Sequence, residues 1–286
     1  MALAGGAVRK LLSATSINLT QLDIRLRGVH LVDMRVHLLL ILFSIQFLLN
    51  GGDQKPRNID AGWIYDILPQ IADGEYWKTT IILTNLEDHP VAWTLKFYGD
   101  DGKPKEFTLS GMGKASVFAG ALAKDGSVTL STPGGTGTLS QGWAEIASTS
   151  GDDIGAMVIF GTTGVPNRPD FEATVPAVYS IDDDVVIPFD NTNGYVTSLA
   201  LLNPGTYSDS VFNIRILDNA GVELQTERLT LKAGNKVAFA STDRWQNSRG
   251  RSGTIAIKGD TLVWASSLAL RFHPGGAFTT VFPMSR

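Results

Sequence analysis

The sequence predicts an all-β protein with two tandem antiparallel β-sandwich domains, Ig-like or jelly-roll-like, after an N-terminal signal segment. Three observations predict this class. Short apolar or alternating runs recur between Gly, Asp, Asn and Pro, as in sandwiches with turns every roughly 8–12 residues. No amphipathic helix pattern is found after residue 64, which disfavours parallel sheets because these need crossover helices. The same order of landmarks also occurs twice along the chain.

The internal repeat relates residues 65–176 to residues 185–283. Each copy begins with an apolar pair before proline, continues with a β-rich run from an aromatic residue to asparagine, and ends with Phe and, five residues later, Pro. In order, the landmarks are Ile67-Leu68-Pro69, Trp77–Asn85 and Phe171…Pro176 in the first copy, and Val186-Ile187-Pro188, Tyr195–Asn203 and Phe278…Pro283 in the second. We therefore expect the two copies to have one fold.

The second strand of each copy fixes which face is buried. In the first copy Trp93, Leu95 and Phe97 share one face, because side chains alternate along a strand. Phe212, Ile214 and Ile216 repeat this pattern in the second copy, which predicts the same register. Further strands are predicted at Glu106–Leu109, Ala115–Ala119, Ser127–Leu130, Gly142–Ser148, Ala156–Gly161, Val222–Leu231, Lys236–Ala240, Gly253–Lys258 and Leu262–Phe272.

These elements divide the chain into three predicted parts. Residues 60–178 form the first sandwich and residues 184–286 the second, with a short acidic linker that favours two sandwiches placed end to end. Residues 1–50 form an N-terminal extension with a signal peptide, whose apolar run Leu38–Leu49 is shorter than the roughly 20 residues of a membrane span. Met34 is the predicted true start. A retained signal anchor is the alternative.

Composition excludes several classes of site. The chain has no cysteine, so disulfides, thiolate metal sites and cysteine nucleophiles are excluded. Residues 51–286 hold 19 Lys/Arg and 26 Asp/Glu, a net charge of −7. Such a surface repels a phosphate backbone, so we expect no nucleic-acid partner. We expect the mature protein to have no membrane span and to be secreted, periplasmic or on the cell surface.

The landmark segments also resemble a known repeat. Residues 68–74 and 77–85, together with the ending at residues 268–280, resemble a tandem repeat seen in uncharacterised exported bacterial proteins. The resemblance covers about residues 65–283. It implies an exported pair of Ig-like β-sandwiches of the cell envelope or exterior, and it implies no activity.

Candidate catalytic residues are few in the sequence. Two histidines follow the signal segment, His89 and His273, and each precedes proline in a predicted turn. Glu145 and Glu172 lie on predicted strands that could share a face, as a glycosidase pair requires. Neither glutamate recurs in the other copy. We therefore predict no catalytic residues and no enzyme.

No cofactor is expected from the sequence. The Asp-rich turns at residues 99–102 and 181–184 leave open a structural calcium at the domain junction, since calcium needs several oxygen ligands. Their spacing does not fit an EF-hand loop.

The candidate binding site is a polar segment of the second copy, residues 241–251. It contains Trp245 together with Arg244, Arg249 and Arg251, the one locally basic stretch after the signal segment. Exposed tryptophan beside arginine is typical of contact sites with a partner. The alternative is that Trp245 closes one end of the sandwich.

The sequence thus favours an exported, non-catalytic structural or interaction protein that binds a protein or polysaccharide through sandwich loops. A carbohydrate-active enzyme or accessory carbohydrate-binding module is one alternative. An adhesion or assembly subunit that pairs through edge strands is another.

Overall fold

The computed structural model describes residues 65–148, 154–177, 184–260 and 265–286. The predicted signal segment and most of the acidic linker lie outside these residues. The strands are β1 (Tyr65–Asp73), β2 (Trp77–Asn85), β3 (Val91–Tyr98), β4 (Phe107–Leu109), β5 (Gly113–Ala115), β6 (Val117–Leu122), β7 (Ser127–Ser131), β8 (Ser140–Ser148), β9 (Ile154–Thr162), β10 (Phe171–Pro176), β11 (Asp184–Asp190), β12 (Val196–Leu202), β13 (Ser210–Asp218), β14 (Glu223–Leu231), β15 (Lys236–Ala240), β16 (Ser252–Gly259), β17 (Ser266–Phe272), β18 (Phe278–Val281) and β19 (Met284–Ser285).

The described strands form two pairs of antiparallel sheets and one two-stranded sheet, β4-β5. Residues before 177 supply sheet 1A, in the order β1-β8-β3-β6, and sheet 1B, in the order β10-β9-β2-β7. Residues after 183 supply sheet 2A, in the order β14-β13-β16-β11-β19, and sheet 2B, in the order β15-β12-β17-β18. We call the first pair the first sandwich and the second pair the second sandwich. The prediction of an all-β protein with tandem antiparallel sandwiches is confirmed.

The two sandwiches have the same topology. If β11 is matched to β1, the β4–β5 hairpin is left out and the other strands follow in chain order, sheet 2A reproduces the order of sheet 1A with β19 added, and sheet 2B reproduces sheet 1B. The parity predicted from β3 and β13 also holds, since Trp93, Leu95, Phe97, Phe212, Ile214 and Ile216 are all buried.

A buried threonine closes the first turn of each sandwich. Thr79 Oγ1 accepts from the backbone N–H of Ala72 at 3.0 Å and donates to its carbonyl at 2.7 Å. Thr197 Oγ1 makes the same two bonds with Asp190, at 3.0 and 3.3 Å. Because both hydroxyls are fully buried, these bonds satisfy backbone groups that water cannot reach.

The landmark asparagine has an equally local role. Asn85 Nδ2 donates to the carbonyls of His89 and Ala123. Asn203 Nδ2 donates likewise to the carbonyls of Ser208 and Leu231. Each asparagine thus ties the end of its strand to the loop that follows and to the end of a later strand, which explains why the residue ends the β-rich run in both copies.

The structure departs from the predicted strands at two places. The predicted strand Ala115–Ala119 is two strands, because β5 pairs back on β4 in a hairpin and β6 pairs with β3. The predicted polar loop after β15 contains a short helix α1 (Ser241–Arg244) and a 3₁₀ turn η1 (Gln246–Ser248).

The middle of sheet 2B is buried on both faces. Leu199 and Leu201 of β12 belong to the core of the second sandwich, whereas Ala200 and Leu268 pack in the core of the first. The run Leu199–Leu202 therefore reads as continuously apolar, as expected of a strand covered on both sides. Packing through this broad face differs from the end-to-end placement expected from the short linker.

Candidate functional site

Trp245 is a core residue of the second sandwich. Its side chain is fully buried, and its ring contacts Phe239 edge-to-face with centroids 5.0 Å apart. Its Nε1 donates to Glu227 Oε2 at 2.8 Å. Trp245 therefore fits the alternative in which it closes one end of the sandwich, and it presents no free ring face for stacking on a sugar.

The three arginines of the 241–251 segment differ in their surroundings. Arg244 forms a bidentate pair with Glu227 and lies over Phe239, with Cζ 4.6 Å from the ring centroid. Hydrogen bonding from Arg244 lowers the pKa of Glu227 although burial opposes this. Arg249 is exposed, and its Nε donates to the carbonyl of Thr242 at 2.7 Å. Arg251 is exposed, so Arg249 and Arg251 are the two cations that face solvent in this segment.

The candidate carboxylate pair is not brought together. Glu145 lies on β8, whose neighbours Ala144 and Ile146 face the core, so its side chain lies on the outer face of sheet 1A. It is fully buried there, where Tyr98 Oη donates to it at 3.3 Å and Lys96 Nζ lies 3.9 Å away. Glu172 is exposed on the outer face of sheet 1B. The two glutamates therefore lie on opposite sides of the first sandwich.

The histidines also occupy separate loops. His89 lies between β2 and β3, and His273 between β17 and β18. The ring of His273 contacts Tyr195 edge-to-face, and its Nδ1 accepts from the backbone N–H of Gly275 at 2.8 Å. This bond is local to its own turn.

In the two Asp-rich turns considered for calcium, the described carboxylates Asp101 and Asp184 have partners within the protein. Asp101 accepts from the backbone N–H of Lys103, which lowers its pKa, and Asp184 lies 3.5 Å from Lys258 Nζ. Within the described ranges no cluster of three or more His, Asp or Glu side chains is placed to hold a metal ion. Asp182 and Asp183 lie outside those ranges.

A cleft of about 240 Å³ lies between the two sandwiches. Sheet 2B supplies one wall, and the other comes from β1, β9 and the starts of β2 and β8. The lining residues used below are Gln70, Trp77, Gln141, Ser198, Ala238 and Leu270. This cleft brings together side chains that are far apart in the sequence.

Small side chains make room for the cleft. In sheet 2B, Ser198 pairs with Ala240, and Ala200 pairs with Ala238 on the same face. Larger apolar groups close the sides, because Trp77 packs against Phe272 and Phe278 with centroids 6.2 and 5.2 Å apart. The result is an apolar cleft with an aromatic wall made by both sandwiches.

A buried lysine marks the polar end of the cleft. The Lys236 side chain is fully buried, and its Nζ lies 3.0 Å from Asp100 Oδ1 and also donates to Gln70 Oε1. Burial lowers the pKa of Lys236, whereas the charge of Asp100 acts in the opposite direction. Gln70 Nε2 in turn donates to Gln141 Oε1 at 3.2 Å.

Two further hydrogen bonds join the two sandwiches near Lys236. The backbone N–H of Lys236 donates to the carbonyl of Asp100 at 3.0 Å. Trp143 Nε1 donates to the carbonyl of Gly234 at 2.9 Å. Each bond joins the first sandwich to the second. The positions of the Gln70 and Gln141 amides relative to Lys236 therefore depend on how the two sandwiches pack.

Sequence reasoning missed the cleft residues. One signal was available, since Ala238 and Ala240 lie with Lys236 on one face of a predicted strand, and that face is small and uncharged apart from the lysine. The partner positions on β1 and β8 carried no local pattern that connected them to β15.

Among the described residues, no helix has the length and apolar character needed to cross a membrane. Comparisons of the chain with models of known protein families, with curated proteins and with solved structures find no match.

Proposed function

We propose that this chain is an exported, non-catalytic binding protein whose ligand occupies the cleft between the two sandwiches. The observation that carries the proposal is the cleft itself, which combines an aromatic wall, an apolar floor and a few convergent polar groups. That combination is typical of binding sites for small molecules or for the end of a longer chain. Export to the cell envelope or exterior belongs to the proposal and is supported by the apolar run Leu38–Leu49.

The size of the cleft limits its ligand. Its volume of about 240 Å³ lies below the roughly 300–1,000 Å³ of sites for drug-sized ligands. A small molecule or the terminal unit of a polysaccharide or peptide fits this volume. The proposed ligand site is therefore the interface of the two sandwiches. It is not the 241–251 segment, where Trp245 is buried.

Filling the cleft should weaken ligand binding. Ala238 is exposed and lines the cleft, so Ala238→Phe places a ring in the space for the ligand with little effect on folding. In a binding screen of soluble oligosaccharides and peptides against the full chain, we expect the variant to lose affinity at least about tenfold, or about 1.4 kcal/mol.

The matched control is Thr226→Phe, which adds a ring at an exposed strand position on β14, outside the cleft lining. This variant should bind like the unmodified chain, and both variants should unfold at similar temperatures. Undiminished binding by Ala238→Phe would contradict the proposal.

A second candidate function is pairing through an edge strand. Strand β6 is the last strand of sheet 1A, and its six residues carry no charge. Since Ser116 accepts from Phe97 of β3, the alternation of a strand turns the backbone groups of Val117, Ala119 and Ala121 away from β3. The matching strand β14 of the second sandwich carries Glu223, Glu227 and Arg228. An uncharged edge is a template for another strand, whereas charges protect an edge.

The edge hypothesis predicts an effect of charge at β6. If the chain associates through this edge, its mass in sedimentation should rise with concentration, and Ala119→Lys should abolish the rise because a lysine on an edge strand disfavours pairing. Thr226→Lys on β14 is the control and should leave association unchanged. A mass that is constant over the micromolar range, or association unaffected by Ala119→Lys, would exclude this function.

A further inference from the structure

The buried ammonium of Lys236 determines how the two amides of the cleft are oriented. A lysine ammonium can only donate hydrogen bonds. Its contact with Gln70 is therefore made to the oxygen, Oε1. This choice places Gln70 Nε2 toward Gln141, where it donates to Oε1 at 3.2 Å.

The orientation passes from Gln70 to Gln141. Because Oε1 of Gln141 accepts from Gln70, the Nε2 of Gln141 lies on the opposite edge of the planar amide group and is not used by Gln70. Gln141 lines the cleft, and its Nε2 is the N–H donor that this amide can offer to a ligand there. The main chain at this point is also fixed, since Lys105 Nζ donates to the carbonyl of Gln141 at 2.6 Å.

The remainder of the cleft favours a ring. Trp77 and Leu270 supply apolar surface, and Ser198 supplies one hydroxyl. The positive charge of Lys236 is already balanced by Asp100 at 3.0 Å. None of the residues that line the cleft carries a charge, so a charged ligand would lose hydration there without compensation.

We infer that the cleft binds an uncharged, oxygen-rich ring, a sugar unit, whose oxygen accepts from Gln141 Nε2, and that Lys236 is the positioning residue which makes Gln141 a donor. This inference rests on the proposed function and specifies its ligand class. The ring of the sugar lies against the apolar wall that includes Trp77, and its hydroxyl or amide oxygens face the Gln70–Gln141 end.

The test compares two kinds of probe. Cellobiose and di-N-acetylchitobiose present rings with acceptor oxygens, whereas indole presents a ring without an acceptor oxygen. Binding of each probe to the full chain is measured by calorimetry for the unmodified protein and for Gln141→Glu. The glutamate keeps the shape and can still accept from Gln70, but it replaces the donor with an acceptor.

We expect Gln141→Glu to weaken binding of the disaccharides at least tenfold and to leave indole binding unchanged. Lys236→Met should weaken disaccharide binding in the same way and spare indole, because Gln70 then loses the donor that fixes its orientation. A merely structural role for Lys236 would change both probes together. Gln246→Glu, at an exposed position outside the cleft lining, is the control and should bind both probes normally.

The outcomes separate the two levels of the proposal. One outcome is that indole binds to the unmodified chain and loses affinity in Ala238→Phe, while neither disaccharide binds. In that case the cleft is a binding site, but the inference of a sugar ligand is overturned. If the disaccharides bind equally to the protein and to Gln141→Glu, the role given to Gln141 and Lys236 is overturned. If no probe binds, the sugar inference fails, and peptides in the Ala238→Phe screen remain the test of the cleft.

Discussion

Trp245→Ala is expected to destabilise the second sandwich by about 3–5 kcal/mol, the usual cost of removing a buried tryptophan. The ring is fully buried, packs on Phe239 and closes the core at this end of the sandwich. The replacement leaves a cavity that the surrounding strands cannot fill. Thermal unfolding should show a drop in Tm of about 10 °C or more.

Trp245→Phe separates packing from hydrogen bonding. The phenyl ring keeps most of the apolar contact but removes the bond from Nε1 to Glu227, so we expect a cost of about 1 kcal/mol. Glu227 keeps its bidentate pair with Arg244. A stable Trp245→Ala protein that has lost ligand binding would contradict this account and would support a contact site in the 241–251 segment.

Gly253→Ala is the second substitution expected to have a large effect. A Cβ at this position would lie 1.9 Å from the carbonyl oxygen of Leu217, a backbone atom of the neighbouring strand β13. The strands must separate to admit it, which we expect to cost about 3 kcal/mol or more. Chemical denaturation should show a lower midpoint with an unchanged slope.

The internal repeat predicts the same effect at the equivalent glycine of the first sandwich. Gly142 occupies the matching position on β8, where a Cβ would lie 2.2 Å from the carbonyl oxygen of Tyr98. Gly142→Ala should therefore destabilise the first sandwich similarly. Gly137→Ala is the control, since nothing lies within 4 Å of its Cβ position. Equal stability of the Gly253 and Gly137 variants would contradict the proposed close approach.

The fold class was accessible from sequence because its signals are local. Alternation in β3 and β13 identifies one face of each strand, and the repeated asparagine marks the end of β2 and β12 because its amide bonds to nearby loop carbonyls. Such patterns span a few residues. Repetition of the pattern in the second copy adds an independent check on the register.

The cleft and the burial of Trp245 could not be predicted from the sequence, because both depend on contacts between residues that are far apart in the chain. Trp245 lies in a polar stretch, but its partner Glu227 is on β14 and its ring partner is Phe239, so local polarity misrepresents its burial. Lys236 would be expected on the surface, because lysine side chains are almost never fully buried unless they are paired. Its burial depends on Asp100 and Gln70 of the other sandwich, which no local pattern connects to it.

The most direct test of the central claim is hydrogen exchange of the full chain with and without the disaccharide that binds best. Binding in the cleft should slow exchange of amides in the segments that line it, at residues 139–141, 198–200 and 268–272. It should leave exchange at residues 241–251 unchanged. Protection confined to residues 241–251, with no change in the cleft segments, would contradict the assignment of the site to the interface of the two sandwiches.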